Sequence, residues 1–97
     1  MKAPIKHDEW LFIQLKDADF AAEFLNAASH DDDPKTYLIA LRKVVEARGG
    51  MAFIAEKAAL SRETLYRTLS KRGNPTIKTL SAVLKATGLK FGVTTSV

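Results

Sequence analysis

Three side chains in one short stretch, Arg62, Glu63 and Arg67, have the chemistry to read DNA bases. An arginine can donate paired hydrogen bonds to O6 and N7 of guanine, and a glutamate can accept one from N4 of cytosine. Around them stand Ser61, Thr64, Tyr66, Lys71 and Arg72, placed for phosphate oxygens. Phosphate contacts fix register and carry most of the affinity. Lys78, just after a helix start at Thr76, offers another phosphate site, because helix N-termini attract anions. Each of these groups also has a plain reading as a solvated surface charge. Glu63 could simply balance Arg67, one helical turn on.

Catalytic chemistry has far less support. His7 and His30 lie far apart in sequence, beside acidic segments. No HExxH, GxSxG, P-loop or GxGxxG spacing occurs. Asp31, Asp32 and Asp33 could touch a divalent cation, but adjacent carboxylates in a loop are more often helix caps in water. The chain has no cysteine, so no disulfide framework and no thiolate metal site. The expectation is a protein without catalytic residues or cofactor.

The elements that must position the DNA-reading candidates lie within residues 51–72, MAFIAEKAALSRETLYRTLSKR. The pattern predicts one short helix from Met51 to about Ala58 and a second from Ser61 to about Lys71. Ser61 is a natural N-cap. Leu65 and Leu69, four apart, share the buried face. A small Ala55 lets the second helix approach, and Leu60 fills the turn. That is the layout of a helix-turn-helix, whose second helix enters the major groove.

Ninety-seven residues with 46% apolar and 27% charged side chains suit one soluble globular domain. No apolar run approaches the ~20 residues that span a bilayer. The opening MKAPIKHDEW lacks the apolar core of a signal peptide, so a cytoplasmic location and no membrane partner are expected. The net charge of +4 is unevenly spread. Residues 1–33 hold three lysines against eight carboxylates, a net of −5, whereas residues 34–97 hold twelve Lys and Arg against three Glu, a net of +9. The division suggests an acidic N-terminal helical extension, 1–33, and a basic helix-turn-helix domain, 34–97, each with its own partner. The plainer alternative is that the acids sit at helix N-termini, where the macrodipole favours them.

Residues 1–7 read as frayed. Trp10, Leu11, Phe12, Ile13 and Leu15 crowd a stretch that could be a strand. A short helix from Asp8, with Asp8 as cap, fits the Leu11–Leu15 spacing better. So many large apolar groups in so short a helix cannot all face one core, so some are expected to meet another chain. Asp17 opens a helix with Phe20, Ala21, Phe24, Leu25 and Ala28 in one stripe. Asp33 caps the next, with Pro34 in its first position and Gly49-Gly50 ending it. Tyr37, Leu38, Leu41, Val44 and Val45 form its buried face, and Lys35, Arg42, Lys43 and Glu46 face water. After the Gly73-Asn74-Pro75 turn, Thr76 caps a last helix with Ile77, Leu80, Val83, Leu84 and Thr87 on one face. Gly88 ends that helix and Leu89 packs back on it. Residues 90–97 alternate as one half-buried strand, which either pairs with its twin in a homodimer or remains loose.

The stretches LKDADFAAEFLNAA (15–28), DPKTYLIALRKVVEARGGM (33–51) and LSRETLYRTLSKRGNPTIKTLSAVLKATGLKFGV (60–93) resemble the HigA-like antitoxins, or addiction-module antidote proteins. The resemblance covers nearly the whole chain in order. It implies an all-α, five- or six-helix domain with a lambda-repressor-like helix-turn-helix. It also implies a RelE-like, mRNA-cleaving toxin as partner. Such antidotes silence the toxin, dimerise and repress their own operon by binding double-stranded operator DNA. The family's DNA contacts carry over onto Arg62, Glu63 and Arg67, with Ser61 and Thr64 nearby. RelE-like toxins are typically basic, so the acidic segment, with Trp10, Leu11, Phe12, Asp17, Asp19 and Glu23, is the expected toxin-binding surface.

Two departures from the family stand out. Ala52 and Phe53 replace polar phosphate-binding residues, and Ala59 replaces the usual turn glycine. An alanine at positive φ is strained by about 1 kcal/mol, so either the turn differs or the strain is tolerated. The competing readings are a stand-alone repressor without a toxin partner and a helical interaction module that does not bind DNA.

Overall fold

The computed structural model describes residues 6–93 and 95. Six helices follow one another: α1 (His7–Gln14), α2 (Ala18–Ser29), α3 (Pro34–Ala47), α4 (Met51–Lys57), α5 (Arg62–Thr68) and α6 (Ile77–Ala86). Helix α3 is the central beam. Helices α1, α2 and α4 pack on it, and α4 in turn holds α5 and α6. Among the described residues no helix is long and apolar enough to cross a membrane.

Local chemistry sets most of the boundaries. The Asp17 carboxylate accepts from the amides of Asp19 (2.8 Å) and Phe20 (3.1 Å) to start α2. Asp33 accepts from Lys35 N–H at 3.0 Å, with Pro34 in the first turn of α3. Ser61 and Thr76 accept from the amides of Thr64 (3.0 Å) and Thr79 (3.1 Å). Such caps satisfy amides that have no partner within the helix. Gly50, at φ 92°, forms the non-helical entry to α4. Gly88, at φ 89°, lets Leu89 N–H close back on Leu84 C=O at 2.9 Å. Ala59 sits at φ 58°, so the turn between α4 and α5 keeps the left-handed geometry and the alanine bears the strain.

One core joins both segments of the charge division. Leu11, Leu15, Ala21 and Leu25 belong to the same apolar cluster as Leu41, Val44, Ile54, Leu65, Leu69 and Leu84. Burying each such large side chain contributes about 1.5–3 kcal/mol, so α1 and α2 are part of what holds α3 to α6 together.

Several expectations are corrected. The structure contains no C-terminal strand among the described residues, and Val93 is 98% exposed. A single strand with no partner has nothing to satisfy its backbone. Residues 94, 96 and 97 lie outside the described residues, as do residues 1–5 of the opening expected to fray, whereas His7 already belongs to α1. The cap of α1 is Lys6, whose side chain makes no capping bond, so Asp8 lies inside the first turn. Helix α5 stops at Thr68, short of Lys71. Ile77 is 76% exposed, because the first turn of α6 projects beyond the core that Val83 and Leu84 enter.

Candidate nucleic-acid and partner interfaces

Helix α5 presents its chemistry through a simple division of faces. Leu65 and Leu69 are essentially fully buried. Glu63 and Arg67 project from the opposite side, while Arg62 and Tyr66, four apart, flank the leucines. Arg62, Glu63 and Arg67 are all exposed. Among the described residues the one ion pair is Arg42–Glu46, at 3.1 Å. Glu63 therefore does not neutralise Arg67, and both charges stand free for a ligand. Ser61 and Thr64 are tied together: besides the cap, the Ser61 hydroxyl donates to Thr64 Oγ1 at 2.7 Å. Their first duty is the start of the helix: Ser61 spends its one proton on Thr64, so a phosphate meets either the free Thr64 hydroxyl proton or the Ser61 proton drawn away from Thr64.

Tyr66 is placed differently from a plain phosphate contact. It is half-buried against the core. The guanidinium of Arg42, from α3, lies 5.2 Å from its ring centre, and that of Arg62 lies 5.8 Å away. The Arg62–Tyr66 and Arg42–Glu46 spacings were each legible as helical i, i+4 pairs. Their meeting across α3 and α5 was not.

Lys71 and Arg72 are not on the reading helix. They follow it in a turn closed by Ser70 N–H to Arg67 C=O (3.2 Å) and Gly73 N–H to Ser70 C=O (2.9 Å). There they line an open groove of about 770 Å³ that Asp31, Asp32 and Asp33 also line. Lys78 is exposed in the first turn of α6, two residues past the Thr76 cap.

The expected partner surface is partly as foreseen. Trp10 (44%), Phe12 (41%) and Ile13 (52%) are strongly exposed on α1. Leu11 is a correction: at 6% exposure it belongs to the core, because it and Leu15, at the C-terminal cap of α1, enter the shared apolar cluster as α1 packs on α3. The exposed aromatics are arranged rather than loose. The His7 ring stacks on Trp10 at 6.0 Å, Trp10 meets Phe20 edge-on at 5.8 Å, and the Lys16 ammonium sits 5.2 Å from the Phe12 ring. Asp17 is engaged in capping, as the plainer reading of the acids holds. Asp19 and Glu23 stand exposed, one turn apart on α2.

The acidic loop is likewise built from caps. Asp31 accepts from Asp33 N–H at 2.8 Å and Asp33 from Lys35 N–H. Among the described residues no group of three or more His, Cys, Asp or Glu is arranged to hold a metal ion.

One residue that sequence reasoning passed over ties the two surfaces together. Arg48, at the end of α3, donates from Nε to Thr87 C=O (2.7 Å), and from Nη1 to Lys16 C=O (2.8 Å) and Leu15 C=O (3.4 Å). One cation thus caps the C-terminal ends of α1 and α6, where the helix dipoles are negative.

Residues 11–95 match the model of a family described as probable addiction module antidote proteins. A protein of Haemophilus influenzae (strain ATCC 51907 / DSM 11121 / KW20 / Rd), described as uncharacterized, is 40% identical over 89 residues, covering 82% of this chain and 91% of that protein. No solved structure matches.

Proposed function

The chain belongs to the family of probable addiction module antidote proteins, and from that premise we propose that it neutralises a RelE-like, mRNA-cleaving toxin and represses its own operon by binding operator DNA. Membership implies a toxin partner of some kind. The finer reading rests on one observation above all: Arg62, Glu63 and Arg67 stand exposed and unpaired on a helix whose leucines are buried. In this reading α4 and α5 are the two helices of a lambda-repressor-like helix-turn-helix. Arg62 and Arg67 read guanine edges, Glu63 reads cytosine, and Ser61, Thr64 and Lys78 contact phosphates. Lys71 and Arg72, beyond α5, contribute field rather than base contacts. The protein acts on DNA as a homodimer, so each contact occurs twice.

The toxin docks on the exposed face of α1 and α2. Trp10, Phe12 and Ile13 supply apolar contacts, and Asp19 and Glu23 steer a basic partner. Removing residues 1–33 is the wrong test, since Leu11, Leu15, Ala21 and Leu25 are in the core. Substitutions on the surface separate the activities. Arg62→Ala and Arg67→Ala should each weaken operator binding about tenfold or more per contact, at ~1–3 kcal/mol per base pairing, and leave toxin capture intact. Trp10→Asp with Phe12→Asp should abolish co-purification with the product of the adjacent gene and leave operator binding intact. If both arginine variants shift the promoter fragment like the parent, α5 is not the reading helix.

One observation favours a second reading. Ala52 and Phe53 are exposed on α4, with Lys57 held 5.4 Å from the Phe53 ring. An apolar face there suits a protein contact, and absence of any promoter shift by the parent would establish a helical interaction module in place of a repressor.

A further inference from the structure

Arg42 belongs to α3, outside the reading helix, and its charge has no assigned role. Its Nε donates to Glu46 at 3.1 Å, a contact that holds the guanidinium plane without consuming its outer edge. The two Nη groups make no hydrogen bond to the described residues, and the side chain is 43% exposed. The same guanidinium lies 5.2 Å from the centre of Tyr66, whose other cationic neighbour is Arg62 at 5.8 Å. Two like charges from different helices are therefore brought within about 11 Å of each other around one ring. Cations hold to an aromatic ring through its quadrupole, which offsets their mutual repulsion. Glu46 already supplies one anion at the Arg42 Nε, so a further anion joins this cluster at the Nη edge. One strand of a DNA duplex carries a phosphate every ~3.4 Å of axis, so a guanidinium within about 11 Å of a base-reading arginine lies in reach of the flanking backbone.

We propose that Arg42 is a DNA-phosphate-binding residue, its free Nη edge gripping the backbone beside the base edges that Arg62 reads, and that Tyr66 is the positioning residue that sets both guanidiniums. Arg suits this duty because its planar fork meets two phosphate oxygens at once. Glu46 keeps the fork in plane, and Tyr66 removes rotamer freedom that Arg62 would otherwise lose on binding. The inference rests on the operator-binding reading and adds to it a contact from a second helix.

The test is a mobility shift of the full-length protein on its promoter duplex and on an unrelated duplex of equal length, across 50–200 mM salt. Arg42→Gln should weaken both duplexes by the same factor. It should also lower the salt slope by ~0.9 per subunit, so that the loss of affinity between those salts shrinks about 3–4-fold per subunit. Arg42→Lys should retain most of the slope. Arg62→Ala should instead lose preference for the promoter. Tyr66→Leu, with unfolding checked separately, should lose promoter preference as Arg62→Ala does. An unchanged slope in Arg42→Gln, with Arg62→Ala still impaired, overturns the Arg42 assignment and leaves the operator reading standing. Equal binding by Tyr66→Leu and the parent overturns the positioning role. A parent that shifts neither duplex overturns the operator reading and this inference with it.

Discussion

Arg48 is the residue whose loss should be most informative about how the two surfaces are joined. Its guanidinium bonds three backbone carbonyls at the ends of two helices, two at 2.7 and 2.8 Å and one longer, at 3.4 Å. A hydrogen bond from a charged donor is worth ~1.5–3 kcal/mol, and a cation at a helix C-terminus adds ~0.3–1 kcal/mol. The site is only part-buried, so water regains some of those carbonyls when the cation goes. We take the lower end for the two short bonds and little for the long one, which gives a net of about 2–4 kcal/mol. Domains of this size have a total stability of ~5–15 kcal/mol, and each kcal/mol moves the melting temperature by ~4–8 °C. Arg48→Met keeps the apolar stem and should therefore lower Tm by roughly 10–25 °C. Arg48→Lys, with a single compact donor, should fall between. Trp10 is the chain's one tryptophan and lies on α1 against Phe20, so its fluorescence follows the docking of that helix. In the parent, fluorescence and far-ultraviolet circular dichroism should melt together, since one core spans the chain. In Arg48→Met the fluorescence change should come first. A Tm within about 3 °C of the parent, with coincident transitions, would refute the idea that Arg48 clamps α1 to α6.

Three further outcomes follow from the backbone and from Tyr37. Ala59→Gly should raise stability by about 0.5–1 kcal/mol in urea titration, because φ 58° costs alanine more than the extra chain entropy of glycine. Gly73→Ala should destabilise by about 1–3 kcal/mol and weaken promoter binding, since an added Cβ would stand 2.1 Å from the Thr68 carbonyl oxygen, a backbone atom that cannot step aside. Burial raises the Tyr37 phenol above its ordinary value of 10.0. The folded chain then holds that proton more tightly than the unfolded one, so the contribution is whole below pH 10 and is lost as pH climbs through the folded value. Tyr37→Phe should make the alkaline limb of a stability-versus-pH curve shallower; an identical limb would show that Tyr37 does not contribute to it.

Much of this molecule was written in local chemistry. The caps at Asp17, Asp33, Ser61 and Thr76 depend only on a short polar side chain meeting the next free amide, and the burial of Leu65 and Leu69 follows from helical spacing. Those features position Arg62, Glu63 and Arg67, so the candidate DNA face was legible before any coordinate. Where local rules met a choice, they were less reliable. The alternating tail reads as a strand, but alternation alone supplies no partner for its backbone. Leu11 reads as surplus on a crowded helix, but which apolar residue turns inward depends on where α3 lies. The end of α5 at Thr68 comes where the backbone leaves the helical ladder, with Ser70 N–H on Arg67 C=O and Gly73 N–H on Ser70 C=O.

The sequence by itself determined helix content, most helix starts and the uneven spread of charge, because each depends on near neighbours in the chain. Only the tertiary structure decided the rest. The Arg48 clamp spans 39 residues to Thr87 and 32 to Lys16, and the Arg42–Tyr66–Arg62 cluster joins α3 to α5. Such contacts depend on how helices cross, which the packing of the shared core sets and no short spacing encodes.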